Sequence, residues 1–259
     1  MNIAELVNGG KSDINITLDK NIDLTGKDWT PIGTDYDNSY KGTFDGGGHT
    51  ITGLTFTTND EFAGLFGWLN RAGTVKNVVM EGVQITSNQI YGGSIGGVVG
   101  SSWGTIENCS VSGNVSGTVY VGGVVGVQIG GSITGCSSSA TVKGTVDVGG
   151  VAGQTNSSAT LTACYATGNV TSTGSSTGYM HIGGFLGNNY TTVTACYWKN
   201  NHEQGIGYNK ENIVPEATKV DGTGVTWKNA VDAMNTALQN AGSKWRYELN
   251  GTLPTLRKQ

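Results

Sequence analysis

One short motif recurs five times through the middle of the chain: a glycine, two apolar residues, a second glycine. The copies are Gly64-Leu65-Phe66-Gly67, Gly97-Val98-Val99-Gly100, Gly123-Val124-Val125-Gly126, Gly150-Val151-Ala152-Gly153 and Gly184-Phe185-Leu186-Gly187. They begin 26 to 34 residues apart, and Phe62, Ile95, Val121, Val148 and Ile182 stand just before them. A second element begins nine to eleven residues after the first glycine of each copy: Val75-Lys76-Asn77-Val78, Ile106-Glu107-Asn108-Cys109, Ile133-Thr134-Gly135-Cys136, Leu161-Thr162-Ala163-Cys164 and Val193-Thr194-Ala195-Cys196. A third places Val83, Val115, Val142 and Val170 a few residues further on. The segments between are short, β-branched and alternating, as in Ala140-Thr141-Val142-Lys143, with Gly, Asn and Ser at the joints. That is strand periodicity with turn punctuation. A fixed period of this length marks a unit that buries its apolar face only by stacking on copies of itself. The expected fold is all-β: a single-domain parallel β-helix (β-solenoid), right-handed as crossovers are, with three short strands in each coil of about 27 residues.

Composition narrows the class. Glycine is 43 of 259 residues while proline is 3, which excludes collagen and proline-rich linkers. Charged residues are 13% and the net charge is −4, so a nucleic-acid partner is not expected. No apolar run is long enough for a membrane span. The first residues, Met1-Asn2-Ile3-Ala4-Glu5, do not read as a signal peptide. A surface of Ser, Thr, Asn and Gly suits an exported protein, so secretion or display at the cell surface is expected, the signal peptide having been removed; a cytoplasmic chain is the alternative.

Two regions frame the array. Residues 12–62 read as opening coils, with strands at Ile14–Leu18, Asn21–Leu24, Thr43–Ile51 and Leu54–Thr57, and the repeats fill 63–204. Residues 205–259 read as a C-terminal cap. Within it, 227–240 is a helix with Trp227, Ala230, Val231, Met234 and Leu238 on one face, and the residues around Asn250-Gly251 form a strand pair or an extended wrap. The open end of a solenoid is an unpaired sheet edge, and the helix is expected to lie over it.

These residues resemble the GLUG-repeat proteins. Gly64-Leu65-Phe66-Gly67 matches their motif literally and the other copies more loosely. Trp29-Thr30-Pro31-Ile32-Gly33, Gly42-Thr43-Phe44-Asp45-Gly46 and Ala195-Cys196-Tyr197-Trp198 look like the openings and ends of such arrays. The resemblance runs from about 13 to 256 and is specific for fold. It implies an exported or surface protein of gut or mucosal bacteria, adhesin-like in some members. Some relatives carry a peptidase domain, and no peptidase motif is present in this sequence.

Candidate chemistry is sparse. Cys109, Cys136, Cys164 and Cys196 share one repeat position, filled by Val78 in the first copy. A valine there argues for a small buried ladder; stacked free thiols are favoured over one or two bridges. His202-Glu203 opens a zinc-peptidase motif that Ile206 breaks. Asp35 and Asp37 begin a calcium-like loop, but Tyr40 stands where a glycine is needed, so a tight turn is the stronger reading. Between 62 and 200 the acids are Glu81, Glu107 and Asp147, at different repeat positions, so no carboxylate pair for polysaccharide cleavage is expected there. An enzyme reading would rest on the opening coils, on Asp45 with Asp19 or Asp23. Exposed aromatics stack on sugars and anchor interfaces, which makes Trp68, Tyr91, Trp103 and Tyr120 the candidate ligand-binding residues. The expected function is a monomeric surface binding module without cofactor or catalysis, recognising a glycan or a host surface protein. A polysaccharide lyase or hydrolase and a structural spacer are the alternatives.

Overall fold

The computed structural model describes residues 3–174, 179–210 and 217–259. It is an all-β parallel solenoid of about six turns with one substantial helix near the C-terminus. Three parallel sheets run the length of the array. Sheet A has 11 strands, beginning at Ile16–Thr17 and ending at Ile206–Asn209. Sheet B, also 11-stranded, begins at Ile22–Asp23 and ends at Ala217–Lys219. Sheet C holds Phe62–Ala63, Ser94–Gly96, Tyr120–Gly122, Asp147–Gly149 and His181–Gly183.

The glycine motif is the corner between sheets C and A. In the second copy the chain leaves sheet C after Gly96, bends at Gly97-Val98 and enters sheet A at Val99. Strict alternation does not send both Val98 and Val99 inward, but a corner does, and both are fully buried. The glycines are there because the two sheets meet backbone to backbone. A Cβ on Gly126 would lie 2.5 Å from the Ile95 nitrogen and 2.7 Å from the Gly100 oxygen. One on Gly153 would lie 2.6 Å from the Val121 nitrogen. Real Cβ atoms do not approach backbone that closely.

Ladders follow the repeat with two corrections. In sheet B the partner of Val115 is Ile85, and Val83 stands opposite Gly113 past a register shift. Phe62 does not occupy the inward place of Ile95. The register pairs Ile95 with Ala63 and Ser94 with Phe62, because the first motif has one glycine fewer. Phe62 therefore turns outward, where its ring meets Trp68 edge-on at 4.6 Å. The core is a stack of Val75, Ile106, Ile133, Leu161 and Val193 on sheet A, facing Met80, Val83, Val111, Val115 and Val142 on sheet B. Each buried side chain contributes about 1.5–3 kcal/mol relative to exposure.

The far end differs from expectation in two ways. The solenoid does not stop at 204: Ile206 continues the ladder of Leu186, and Ala217–Lys219 pairs with Cys196–Trp198. The helix also does not cover the open end. Helix α2 (Trp227–Asn240; α1 is Ile3–Asn8) starts with a capping box between Thr226 and Asn229 and lies on the flank of the array. Its apolar face forms a second cluster with Ala163, Tyr165, Tyr197 and Val220 on the outside of the last coils, together with Tyr247. Trp245–Leu249 and Pro254–Lys258 pair antiparallel around the Asn250-Gly251 turn. This hairpin is stapled to α2 by Asn235, whose side chain accepts from the Tyr247 N–H at 2.7 Å and donates to its carbonyl at 2.9 Å. The apolar stripe seeks apolar surface, and that surface is Tyr165 and Tyr197, on the outer side of sheet B. No described helix is long and apolar enough to cross a membrane.

Candidate functional site

The cysteine ladder sits at the corner from sheet A to sheet B. The residue before each step has a positive φ: Asn77, Asn108, Gly135, Ala163 and Ala195. Gly and Asn adopt that conformation easily, whereas alanine there costs about 1–2 kcal/mol. The turn aims Val78, Cys109, Cys136, Cys164 and Cys196 inward, and the four cysteines are buried free thiols. Each Sγ of Cys136, Cys164 and Cys196 accepts from the backbone N–H of the preceding cysteine in the ladder at 3.4 Å. The thiols donate to carbonyls two residues back, such as Glu107 at 3.2 Å. Burial pushes the Cys136 thiol up, so it stays protonated. The expected result is that iodoacetamide labels none of the four in native protein within hours and all four after denaturation without reductant, read by intact mass. Labelling of native protein, or a disulfide after denaturation, would contradict the thiol ladder.

Other sequence candidates are occupied by their own turns. Asp35 accepts from the backbone N–H groups of Asp37 at 3.0 Å and Asn38 at 2.9 Å, and the side chain of Asn38 first among these holds its carboxyl below the usual range. Asp45 accepts from Asn77 at 2.8 Å and from the Gly47 N–H at 2.9 Å, and it faces Lys76 at 3.5 Å. Asp23 closes a turn with Thr25. The His202 ring meets the Val170 carbonyl at 3.0 Å. Among the described residues no group of three His, Cys, Asp or Glu side chains is arranged to hold a metal.

The four aromatic candidates do not form one site. Trp68 is wedged between Phe62 and Tyr36, with ring centroids at 4.6 and 5.9 Å. Trp103 packs on Gly130 and carries the Arg71 guanidinium over its ring at 5.0 Å. A cleft of about 350 Å³ opens between Tyr36, Asn70, Arg71 and Trp103. Tyr91 stands alone on a turn, 82% exposed. Tyr120 lies in sheet C, paired with Ser94 of the preceding coil, beside a cluster that the sequence had not suggested.

That cluster is the most chemically organised part of the surface. Asp147 does not stand alone: the sheet C register sets Tyr120, Asp147 and His181 in line on successive coils. Asp147 is only 3% exposed. One carboxylate oxygen meets His181 Nδ1 at 2.7 Å, and the other accepts from Asn188 Nδ2 at 3.0 Å. Asn188 comes from sheet A and is 6% exposed, and its Oδ1 is buried with no donor. Tyr208 rests against the His181 ring at 5.0 Å and near Tyr190 at 6.1 Å, and is 40% exposed. Burial first, then the Asp147 carboxylate, pushes the Tyr120 hydroxyl up. Sequence reasoning compared acids with acids and so passed over Asp147. The available signal was that Asp147-Val148-Gly149 and His181-Ile182-Gly183 occupy the same repeat position. A separate groove of about 420 Å³ lies between sheet B and the hairpin, with Ser110, Ser137 and Ser139 on one side and Trp245, Leu253 and Leu256 on the other.

Comparison with known proteins agrees with this architecture. The profile of the GLUG motif matches residues 91–116 and 117–143. Halomucin of Haloquadratum walsbyi is 38% identical over 120 residues, 42% of this chain and 1% of halomucin. A Gly-rich membrane protein of Evansella cellulosilytica is 35% identical over 99 residues, 37% of this chain and 11% of that protein. The matches thus span a small fraction of those relatives. A crystal structure described as a candidate immunoglobulin A1 protease from Bacteroides ovatus superposes with a TM-score of 0.70 at 20% identity, covering 98% of this chain and 89% of that one; at that identity the likeness is one of fold. The chain is a β-solenoid that carries GLUG repeats.

Proposed function

We propose that the chain is a cell-surface binding module without catalysis, and that it recognises a glycan at the Tyr120–Asp147–His181–Asn188–Tyr208 cluster. The observation that carries this reading is the Tyr208 ring, 40% exposed and set against His181, whose buried partner Asp147 is held in turn by Asn188. Planar polar groups next to aromatic faces are what a sugar ring requires, since its edge is all hydroxyl and its face is C–H. The Asp147 carboxylate is spent on His181 and Asn188, which suits binding rather than proton transfer. The names of the similar proteins, a mucin-like and a membrane protein, support a place at the cell surface.

A glycan array spanning neutral and acidic sugars tests the reading. Wild-type protein should give a consistent hit. Tyr208→Ala should weaken it about tenfold or more, the size of one lost ring contact, and Asn188→Ala should weaken it less, through the lost hold on Asp147. Tyr91→Ala should leave it unchanged. A blank array, or equal loss with Tyr91→Ala, would refute the reading.

A further inference from the structure

We infer that the ligand is a polyanionic polysaccharide, carboxylated or sulfated, which lies along the solenoid axis on the outer edge of sheet A. This rests on the glycan reading and extends it. The register aligns Leu69, Ser102, Gln128, Thr155, Asn189 and Asn209 on successive coils. The residues that follow them therefore form a line along the axis: Asn70, Trp103, Ile129, Asn156, Tyr190 and Lys210. All six are partly or fully exposed. None is acidic.

Each end of this line carries the same device. At one end the Arg71 guanidinium lies over Trp103 at 5.0 Å. At the other the Lys210 ammonium lies over Tyr190 at 6.0 Å. Neither cation has an ion-pair partner among the described residues, although four other Lys or Arg side chains there pair with carboxylates. A cation held on a ring keeps its outward N–H groups free for an anion. At Arg71 the cleft of about 350 Å³ gives that anion room. Glu211 follows Lys210 in the sequence and lies outside the described residues. Asp147 is buried and bonded to His181 and Asn188, and Asp35 is folded onto Asp37 and Asn38; Asp37 stands on the same loop as Tyr36. Five strand spacings of ~4.8 Å separate the two ends, about 24 Å. A chain with several acidic sugars spans that length, and a single sugar does not. The sugar site at His181, Asn188 and Tyr208 lies beside the Lys210 end.

Binding of the full chain to hyaluronan, polygalacturonate, heparin and dextran, measured by calorimetry and by retention on immobilised polysaccharide, tests this. At least one acidic polymer should bind, dextran should not, and binding should weaken steeply between 0.05 and 0.5 M salt, on the scale of tenfold or more. The double variant Arg71→Gln with Lys210→Gln should lose about tenfold or more, while Arg71→Lys with Lys210→Arg retains most of it. Equal binding of dextran, or salt-independent binding, overturns the polyanion inference and leaves the glycan site standing. Loss confined to Tyr208→Ala, with both charge variants unaffected, does the same. No binding to any glycan, neutral or acidic, overturns both.

Discussion

Gly126→Ala is expected to unfold the central coils although it adds a single methyl group. The added Cβ would lie 2.5 Å from the Ile95 nitrogen, 2.7 Å from the Gly100 oxygen and 2.8 Å from the Ser94 carbonyl carbon. All three are backbone atoms of the preceding coil, so no rotamer change relieves the clash. Ordinary overpacking costs about 1–3 kcal/mol. Here the relief requires parting sheets C and A across at least two coils, which places the cost at about 3 kcal/mol or more. Thermal unfolding followed by circular dichroism should show a large fall in Tm. Gly224→Ala, whose Cβ would meet only the Asp221 side chain, at 3.3 Å, should change stability by less than about 0.5 kcal/mol. A wild-type melt for Gly126→Ala would mean that the sheets do not meet backbone to backbone at this corner.

Tyr247→Ala is expected to release the helix and hairpin from the flank while the coils stay folded. Tyr247 is 3% exposed; its hydroxyl donates to the Ala163 carbonyl at 3.0 Å, and its ring meets that of Tyr165 at 5.8 Å. Truncating a buried aromatic costs about 3–5 kcal/mol. The cost should fall on docking of the cap, because each coil makes its main contacts with its neighbours. Hydrogen exchange should speed up across Trp227–Asn240 and Trp245–Leu249 and stay slow in Val125–Thr134. Loss of protection in both places at once would show that the cap is part of a single folding unit, and no change in either would show that the Tyr247 contacts are dispensable.

The solenoid was legible because its cause is written locally. A period of about 27 residues, short alternating strands and glycine at fixed points admit few other solutions, and the ladder of Cys109, Cys136, Cys164 and Cys196 followed from position alone. What escaped was placement across the coil. Phe62 looked like a core residue because it is large and precedes a motif; one missing glycine shifted it outward. The helix showed its apolar stripe but not its target, since Tyr165 and Tyr197 read as strand residues with no sign of which way they face. His181 and Asn188 stand 34 and 41 residues beyond Asp147 along the chain, and only the register of sheet C beside sheet A brings them to it. Trp68 and Trp103 were visible as aromatics, but their neighbours Phe62, Tyr36 and Arg71, which decide what each ring can do, were not.

The register between Cys109 and Cys136 makes this chain a ruler with interchangeable divisions. Excising residues 110–136 would join Cys109 to Ser137, the residue that already follows Cys136, and every ladder would close on an equivalent partner. The excised coil also carries Gly130, on which Trp103 packs, and Gly135, which faces Leu238 and Leu256 of the cap, so Ser158 and Asn108 would take over those two places. The distance between Arg71 and Lys210 would shorten by one division, about 4.8 Å. A lineage that duplicates or deletes whole coils therefore resizes the span between its two charged posts, provided a small residue stays beneath Trp103.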